Sequence, residues 1–212
     1  MGKFEFHVMT NGRKQPDEII SAASILAPYV TCIHIREKDR SASEIFNLAE
    51  RLKRAGLGRE QIYINDRVDV AVASGAEGVH LKGSSLDPEI VHRYFSGLRI
   101  GQSVHSIDEA LYAEEKGAHY LFYGHVFKTG SKKGSEPRGL DQLREVADAV
   151  TVPVIAIGGV TPSNTSELIK AGAKGIAVMS GIWSATDPGL VAKGYAEALK
   201  KEEMSKCPGT MM

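Results

Sequence analysis

Short apolar runs alternate with amphipathic segments from one end of the chain to the other, which predicts strands alternating with helices. Eight of these runs have the length and the apolar content of buried strands, and each is followed by a helical segment. The predicted strands cover residues 4–9, 32–36, 61–64, 78–81, 98–102, 120–124, 153–157 and 175–179. The pattern therefore predicts an α/β protein.

Helix starts can be located from the residues that cap them. Two stretches, beginning at Ser41 and Ser106, fit the capping box, in which a hydroxyl and a carboxylate three residues later satisfy each other's backbone N–H. Three further capping residues, Asp87, Thr161 and Asp187, are each followed directly by a proline. Proline is common at the first position of a helix. These five positions predict where helices begin.

One local pattern recurs along the chain, a glycine that ends a helix, a short turn and a buried strand. It starts at Gly75, Gly117 and Gly172, and glycine suits the left-handed residue that closes a helix. Eight strand–helix units with right-handed crossovers close into a (β/α)8 TIM barrel. An open doubly wound sheet is the alternative, but eight units favour closure. We predict one catalytic domain over residues 1–203 and a disordered tail over 204–212.

Composition limits the class of protein and its partners. The chain has 212 residues, of which 42% are hydrophobic, and Lys+Arg and Asp+Glu are equal at 26 each. This balance gives no support to a nucleic-acid partner or an anionic membrane, and the apolar runs are too short to span a bilayer. The N-terminus lacks the apolar core of a signal peptide, and two cysteines do not make a disulfide framework. We expect a cytoplasmic protein.

Glycines mark the ends of the seventh and eighth predicted strands, where barrels of this kind often bind a phosphate. Gly158 and Gly159 directly follow one strand, and Met179 and Ser180 lie at the end of the other, before Gly181. Glycine lets the backbone approach an oxyanion closely. The alternative is that these glycines only form tight turns. Two glycine-bearing strand ends one unit apart favour a phosphate site.

His125 follows the sixth predicted strand and opens a loop rich in Gly, Ser and Lys. Imidazole is the side chain whose ordinary pKa lies closest to neutral pH, so His125 is a candidate for proton transfer. The loop contains Thr129, Ser131 and Lys132, which suit an anion. The alternative is a buried histidine with satisfied hydrogen bonds.

Other candidates follow the second, third and fifth predicted strands. Arg36 and Lys38 suit a carboxylate or phosphate, although they also fit a solvated loop. Asp66 could bind Mg²⁺ or cap the next helix, and capping is the simpler interpretation. Ser103 is expected to line the pocket. His80 lies between apolar residues within a strand, which favours a core role.

Six segments together resemble the thiamine phosphate synthase superfamily, in the right order for a barrel. They are residues 35–38, 64–71, 78–81, 100–105, 154–159 and 175–180, and the resemblance extends over residues 4–199. Within this superfamily, the synthases join a pyrimidine pyrophosphate to a thiazole phosphate with the help of Mg²⁺.

The chain departs from the synthase pattern at two places. Synthases usually have Gly-Gln-x-Asp after the fourth strand, with a Mg²⁺-binding aspartate, where this chain has Ser85. They usually have Gly-Pro after the sixth strand, where this chain has Gly124-His125. With the sequence of residues 177–182, the second departure looks like the thiazole tautomerase branch. Its members aromatise a thiazole carboxylate phosphate in thiamine biosynthesis.

This resemblance implies an isomerase that needs no metal and no cofactor. His125 would carry the proton, and Gly158, Gly159, Met179 and Ser180 would contact the phosphate. The substrate carboxylate would be held by Arg36 or by Thr129, Ser131 and Lys132. The partner would be a phosphorylated thiazole carboxylate, and relatives associate, which implies a homo-oligomer.

Two alternatives stay open at this point. A true synthase is compatible with Arg36, Lys38 and Asp66, which are retained. The second alternative is a regulator that binds a thiazole or thiamine phosphate without catalysis. An intact His125 argues against a regulator.

Overall fold

The computed structural model describes residues 3–130, 134 and 136–205. Eight parallel strands form a closed barrel in chain order, and pairing of the first strand with the eighth closes the ring. The (β/α)8 prediction is confirmed, and predicted and observed strand ends differ by two residues at most. The strands are β1 Glu5–Met9, β2 Cys32–Ile35, β3 Ile62–Asn65, β4 Gly78–Leu81, β5 Arg99–Val104, β6 Tyr120–Gly124, β7 Val154–Ile157 and β8 Gly175–Val178.

Helices surround the barrel and cover the outer faces of its strands. Within the described residues they are α1 Pro16–Leu26, α2 Ala42–Arg54, α3 Val68–Ala73, α4 Pro88–Tyr94, α5 Ile107–Glu115, α6 Gly139–Ala149, α7 Thr165–Lys170, α8 Ser180–Trp183 and α9 Pro188–Ser205. A single 3₁₀ turn, Arg59–Gln61, precedes β3. None of these helices is both long and apolar enough to cross a membrane.

Four of the five predicted caps are present at the starts of helices. The Ser41 hydroxyl accepts from the Glu44 backbone N–H, and the Glu44 carboxylate accepts from the Ser41 N–H, which completes the first capping box. At the second, the Ser106 hydroxyl accepts from the Glu109 N–H, but the Glu109 carboxylate accepts from the N–H of His105 instead of Ser106. Asp87 and Asp187 cap α4 and α9.

One helix begins later than the sequence pattern predicts. Thr161 and Asn164 bond to each other's backbone N–H groups and close a turn, so α7 starts at Thr165 and not at the proline after Thr161. The side chain of Asn164 also donates to the Gly159 carbonyl at 3.0 Å. The turn thereby ties α7 to the glycines after β7.

The final helix extends past the predicted domain boundary. Met204 and Ser205, which the sequence assigned to the tail, are helical. Leu199 and Glu202 are buried, and the Phe4 N–H donates to the Glu203 carboxylate at 2.8 Å, so α9 is packed to its last turn. Residues 206–212 lie outside the described residues, and their disorder stays a prediction.

Candidate active site

A cavity of about 760 Å³ opens at the C-terminal ends of the strands, the face on which TIM-barrel enzymes place their active sites. Every described residue of the predicted site lines this cavity, although their roles stay predictions. They are Arg36, Lys38, Ser103, His125, Thr129, Gly158, Gly159, Met179 and Ser180. Ser131 and Lys132, also predicted to bind substrate, lie outside the described residues.

The turn after β7 is built from two glycines that no larger residue could replace without strain. Gly158 and Gly159 have φ of +95° and +69°. A Cβ on Gly158 would lie 2.3 Å from the Cβ of His125, and one on Gly159 would lie 2.6 Å from the carbonyl oxygen of Lys128. The missing side chains therefore let the loop after β6 pack directly on the end of β7.

His125 is held at this junction by backbone contacts. Its carbonyl accepts from the Arg138 N–H at 3.0 Å, and the His105 ring nitrogen Nδ1 donates to the carbonyl of Gly124 at 2.8 Å. The residue is 6% exposed and follows a cis peptide bond. The imidazole thus lines the pocket beside the glycine turn.

The wall of the pocket is also rich in positive charge. Arg36 and Lys38 line it after β2, and Lys128 lines it after β6. Within the described part of the chain none of these three side chains forms an ion pair with a carboxylate. Glu37 is instead paired with Arg40, whose Nε lies 2.9 Å from a carboxylate oxygen. A pocket with uncompensated cations suits a ligand that carries several negative charges.

Asp66 is the pocket carboxylate that follows β3. Its φ of 69° is left-handed, and its carboxylate accepts from the Lys82 ammonium at 2.6 Å and the Ser85 hydroxyl at 2.5 Å. Burial raises its pKa, but these two hydrogen bonds outweigh burial and hold the pKa below its ordinary value. Asp66 does not cap α3, whose start has no side-chain cap, so the simpler interpretation made from sequence is wrong.

His80 and Ser103 lie at the bottom of the pocket. His80 is buried, as its apolar neighbours predicted, and its Nε2 lies 2.8 Å from the Ser103 hydroxyl. Its Nδ1 lies 3.3 Å from the Tyr120 hydroxyl. Burial, and then the neighbouring His7, lowers the pKa of His80 to about 3, so the ring is neutral at physiological pH. His80 can therefore orient Ser103 without adding charge.

Sequence reasoning missed two cations and one buried cluster. Lys82 and Lys128 line the pocket directly after β4 and β6, and their position at strand ends was the available signal. Below the pocket floor, His7, Cys32 and His34 meet inside the barrel. Side chains alternate between the two faces of a strand, so these three could be assigned to the inside of the barrel from sequence. Which of them meet depends on the register of β1 against β2, which the sequence does not give.

Comparison with known proteins identifies the family. A family profile described as thiamine monophosphate synthase matches residues 7–182, most of the barrel. The chain belongs to the thiamine monophosphate synthase family. The resemblance at the level of the superfamily is thereby confirmed.

Relatives of the family cover nearly the whole chain. A thiamine-phosphate synthase of Pyrococcus abyssi is 36% identical over 94% of this chain and 94% of its own length. One of Chlorobium luteolum is 40% identical over 88% of both chains. The structure of a thiamine phosphate pyrophosphorylase from Pyrococcus furiosus superposes with a TM-score of 0.82 at 32% identity, covering 93% of this chain and 96% of that one.

The prediction of an isomerase of the thiazole tautomerase branch is wrong on this comparison. Relatives at 36–40% identity are named thiamine-phosphate synthase, which indicates a transferase. The prediction depended on Ser85, on His125 and on the sequence of residues 177–182. The Ser85 hydroxyl still donates to Asp66, so losing a carboxylate there does not remove the contact between the two strand ends.

Proposed function

We propose that this protein is a thiamine-phosphate synthase, which joins a pyrimidine pyrophosphate to a thiazole phosphate with release of pyrophosphate. The observation that carries the proposal is the identity of 36–40% to thiamine-phosphate synthases over most of both chains. The retained Arg36, Lys38 and Asp66, which line one pocket, support it. A synthase needs room for two anionic substrates side by side, and a cavity of about 760 Å³ is large enough for both.

The proposed thiazole phosphate site is the glycine-rich end of β7 and β8. Gly158 and Gly159 have no side chains to block an approaching phosphate, and Met179 and Ser180 line the wall beside them. Backbone N–H groups exposed by glycines are well suited to phosphate oxygens. His125 forms the adjacent wall, and we assign it the role of orienting the thiazole, in place of the proton transfer expected from sequence.

The proposed pyrophosphate site is the cationic wall formed by Arg36, Lys38 and Lys128, with Thr129 beside it. Negative charge develops on pyrophosphate as its bond to the pyrimidine breaks. Fixed cations that face this charge stabilise the transition state more than the ground state. Ser131 and Lys132, which lie outside the described residues, are proposed to bind the same anion. The reaction needs the thiazole on one side of the pyrimidine and the leaving group on the other, and we propose that the two sites together hold the substrates in this order.

The family implies Mg²⁺, and the oxygens present near Asp66 fit such an ion. Mg²⁺ is usually held by one or two carboxylates together with substrate phosphates. Asp66 supplies one carboxylate, and the buried Asn65 amide oxygen, which also lines the pocket, has no hydrogen-bond partner within the described residues. When bound, the ion would neutralise charge on the pyrophosphate. Lys82, now 2.6 Å from Asp66, would give up its place as counter-ion.

Growth of a bacterial strain that lacks its own thiamine-phosphate synthase tests the proposal. Expression of this chain is expected to restore growth without added thiamine, and the Arg36→Gln variant is expected to restore it poorly. An exposed substitution away from the pocket, Arg93→Gln, serves as the matched control and should restore growth fully. Failure of the unaltered chain to restore growth, while it accumulates as folded protein, would contradict the proposal.

The homo-oligomer stays a prediction. Light scattering of the purified protein during size-exclusion chromatography measures the number of chains directly.

A further inference from the structure

Three potential metal ligands meet inside the barrel, below the pocket. His7 Nδ1 lies 2.8 Å from His34 Nε2 and 3.1 Å from Cys32 Sγ, and Sγ lies 3.5 Å from His34 Nε2. The side chains belong to the paired strands β1 and β2, and all three residues are 0% exposed. The three ligand atoms form a closed triangle away from solvent.

Hydrogen bonds alone do not satisfy this triangle. The Glu5 carboxylate lies 2.9 Å from His7 Nε2 and also accepts two bonds from Arg99, both at 2.7 Å. A carboxylate paired in this way only accepts, so the ring proton of a neutral His7 is on Nε2 and Nδ1 carries a lone pair. With the His34 proton on Nε2, that one lone pair faces two donors, the N–H of His34 and the S–H of Cys32, and it accepts only one of them. With the proton on Nδ1, the His34 N–H has no partner within the described residues, so one donor is left over in either tautomer.

A single metal ion would satisfy all three atoms. Bonds of about 2.0 Å to nitrogen and about 2.3 Å to sulfur put the two nitrogens of a trigonal three-coordinate ion about 3.5 Å apart and each nitrogen about 3.7 Å from the sulfur. The observed separations are 2.8 Å between the nitrogens and 3.1 and 3.5 Å from nitrogen to sulfur, so the triangle must widen by about 0.2–0.7 Å to take the ion. The contact of His7 with Glu5 also has the form of the carboxylate–histidine pairs that orient metal-bound imidazoles.

We propose that His7, Cys32 and His34 bind one Cu⁺ ion. Thiolate is a soft ligand and imidazole a borderline one, and together they suit Cu⁺ and Zn²⁺, whereas Mg²⁺ prefers oxygen ligands. Aromatic rings surround the two imidazoles, with Tyr63 stacked on His34 at 5.0 Å and Phe122 packed on both. These rings supply no fourth ligand, so the triangle favours an ion that is stable with three ligands.

Charge balance selects the monovalent ion. A thiolate with two neutral imidazoles and Cu⁺ has no net charge, whereas a divalent ion would leave one positive charge in a fully buried site. Burial of an uncompensated charge is costly. The nearest carboxylate, Glu5, does not change this balance because Arg99 already neutralises it.

Binding involves proton movement and no redox change. The S–H bond of Cys32 is replaced by an S–Cu bond, and its proton is released to solvent. Metal binding at Nε2 requires the ring proton of His34 on Nδ1, an atom that has no hydrogen-bond partner within the described residues. Copper enters and stays as Cu⁺.

The ion would join β1 to β2 directly beneath the substrate pocket. His80 and Phe122 both line the pocket and pack on His34, with ring centroids 5.6 and 5.2 Å apart. Met9 lines the pocket as well and packs in the same cluster as Cys32. An ion that binds the folded barrel and not the unfolded chain stabilises the fold by mass action.

Anaerobic titration of the full chain against a chromogenic Cu⁺ chelator tests the proposal. The Cys207→Ser variant serves as the parent, because it leaves Cys32 as the single thiol. We expect one Cu⁺ per chain, one proton released per ion and a higher melting temperature. Adding Cys32→Ala should lower the affinity at least about tenfold. Adding His92→Gln, at an exposed histidine on α4, should leave it unchanged.

X-ray absorption of the copper-loaded parent provides a measurement that needs no core substitution. The expected spectrum has three ligands, one sulfur and two nitrogens. No Cu⁺ retained by the parent, equal affinity in the Cys32→Ala variant, or a preference for four-coordinate Zn²⁺ would each overturn the proposal. None of these outcomes depends on synthase activity, so the site and the proposed function are tested separately.

Discussion

Asp66 brings two strand ends together through its carboxylate. It follows β3, and its partners Lys82 and Ser85 follow β4, at 2.6 and 2.5 Å. The ammonium balances the charge of the carboxylate. A divalent ion held by Asp66 and the substrate pyrophosphate would compete with Lys82 for the same oxygen. The affinity for Mg²⁺ should therefore respond to changes at these positions.

Substitutions at Asp66 and Ser85 should change the Mg²⁺ requirement in opposite directions. Asp66→Asn removes the carboxylate and should raise the Mg²⁺ concentration for half-maximal synthase rate by about tenfold or more. Ser85→Asp adds a carboxylate beside the first and should lower it, because two adjacent negative charges favour a divalent ion. Initial rates measured across a Mg²⁺ series check both expectations.

Ser84→Asp is the matched control, since it adds the same charge one residue away at an exposed position. It should leave the Mg²⁺ requirement nearly unchanged. Equal Mg²⁺ dependence in all three variants would mean that Asp66 does not hold the ion.

Glu114 attaches α5 to the segment that leads into β7. One of its oxygens accepts from the backbone N–H and hydroxyl of Thr151, at 2.7 and 2.6 Å, and from the N–H of Val152 at 3.0 Å. The hydroxyl of Thr151 is the main cause of a lowered pKa at Glu114. The ionised carboxylate is thus the form that holds the two elements together.

Glu114→Gln should destabilise the barrel in a way that depends on pH. The amide keeps an acceptor but loses the charge that strengthens its bonds, so we expect a loss of about 1 kcal/mol at pH 7. Because the folded pKa is lowered, the advantage of the carboxylate is full above the ordinary value of about 4.3 and disappears as pH falls through the folded pKa. Urea unfolding at pH 7, 5 and 3 measures the difference.

Glu115→Gln, at an exposed neighbour on the same helix, should show a smaller effect at every pH. If the difference in unfolding free energy between the unaltered chain and the Glu114→Gln variant stays constant from pH 7 to pH 3, the carboxylate is not the stabilising group.

At the scale of the whole molecule, one end of the barrel forms the substrate pocket and the other end stabilises the fold. The C-terminal end carries the pocket and its uncompensated cations. At the other end, Arg99 on β5 pairs with Glu5 on β1 through both carboxylate oxygens, a contact between residues 94 apart in sequence. Burial raises the pKa of Glu5, but bonds from His7 and Arg99 hold it at about 2. This ion pair stabilises the closed barrel, and it lies at the end away from the pocket.

The barrel could be predicted from sequence because the signals for its strands and helix ends lie within short segments of the chain. Each buried strand is a short apolar run, and Gly75, Gly117 and Gly172, which all have positive φ, end helices where predicted. The location of the pocket followed from the same pattern, since residues just after parallel strands meet at one end of the barrel.

Side-chain contacts between neighbouring strands were not predictable from the pattern. Asp66 meets Lys82 and Ser85 across 16 and 19 residues, and the geometry depends on a left-handed backbone at Asp66. The cluster below the pocket depends on the register of β1 against β2. The choice of activity was wrong because it weighed Ser85, His125 and the sequence of residues 177–182 above the similarity of the rest of the chain.

The most direct test of the central claim is turnover by the purified protein. Pyrimidine pyrophosphate, thiazole phosphate and Mg²⁺ are supplied together, and thiamine phosphate and released pyrophosphate are measured in the same samples. The synthase account predicts sustained formation of both products in a 1:1 ratio, which stops when Mg²⁺ is chelated. Folded protein that forms no thiamine phosphate under these conditions would contradict it.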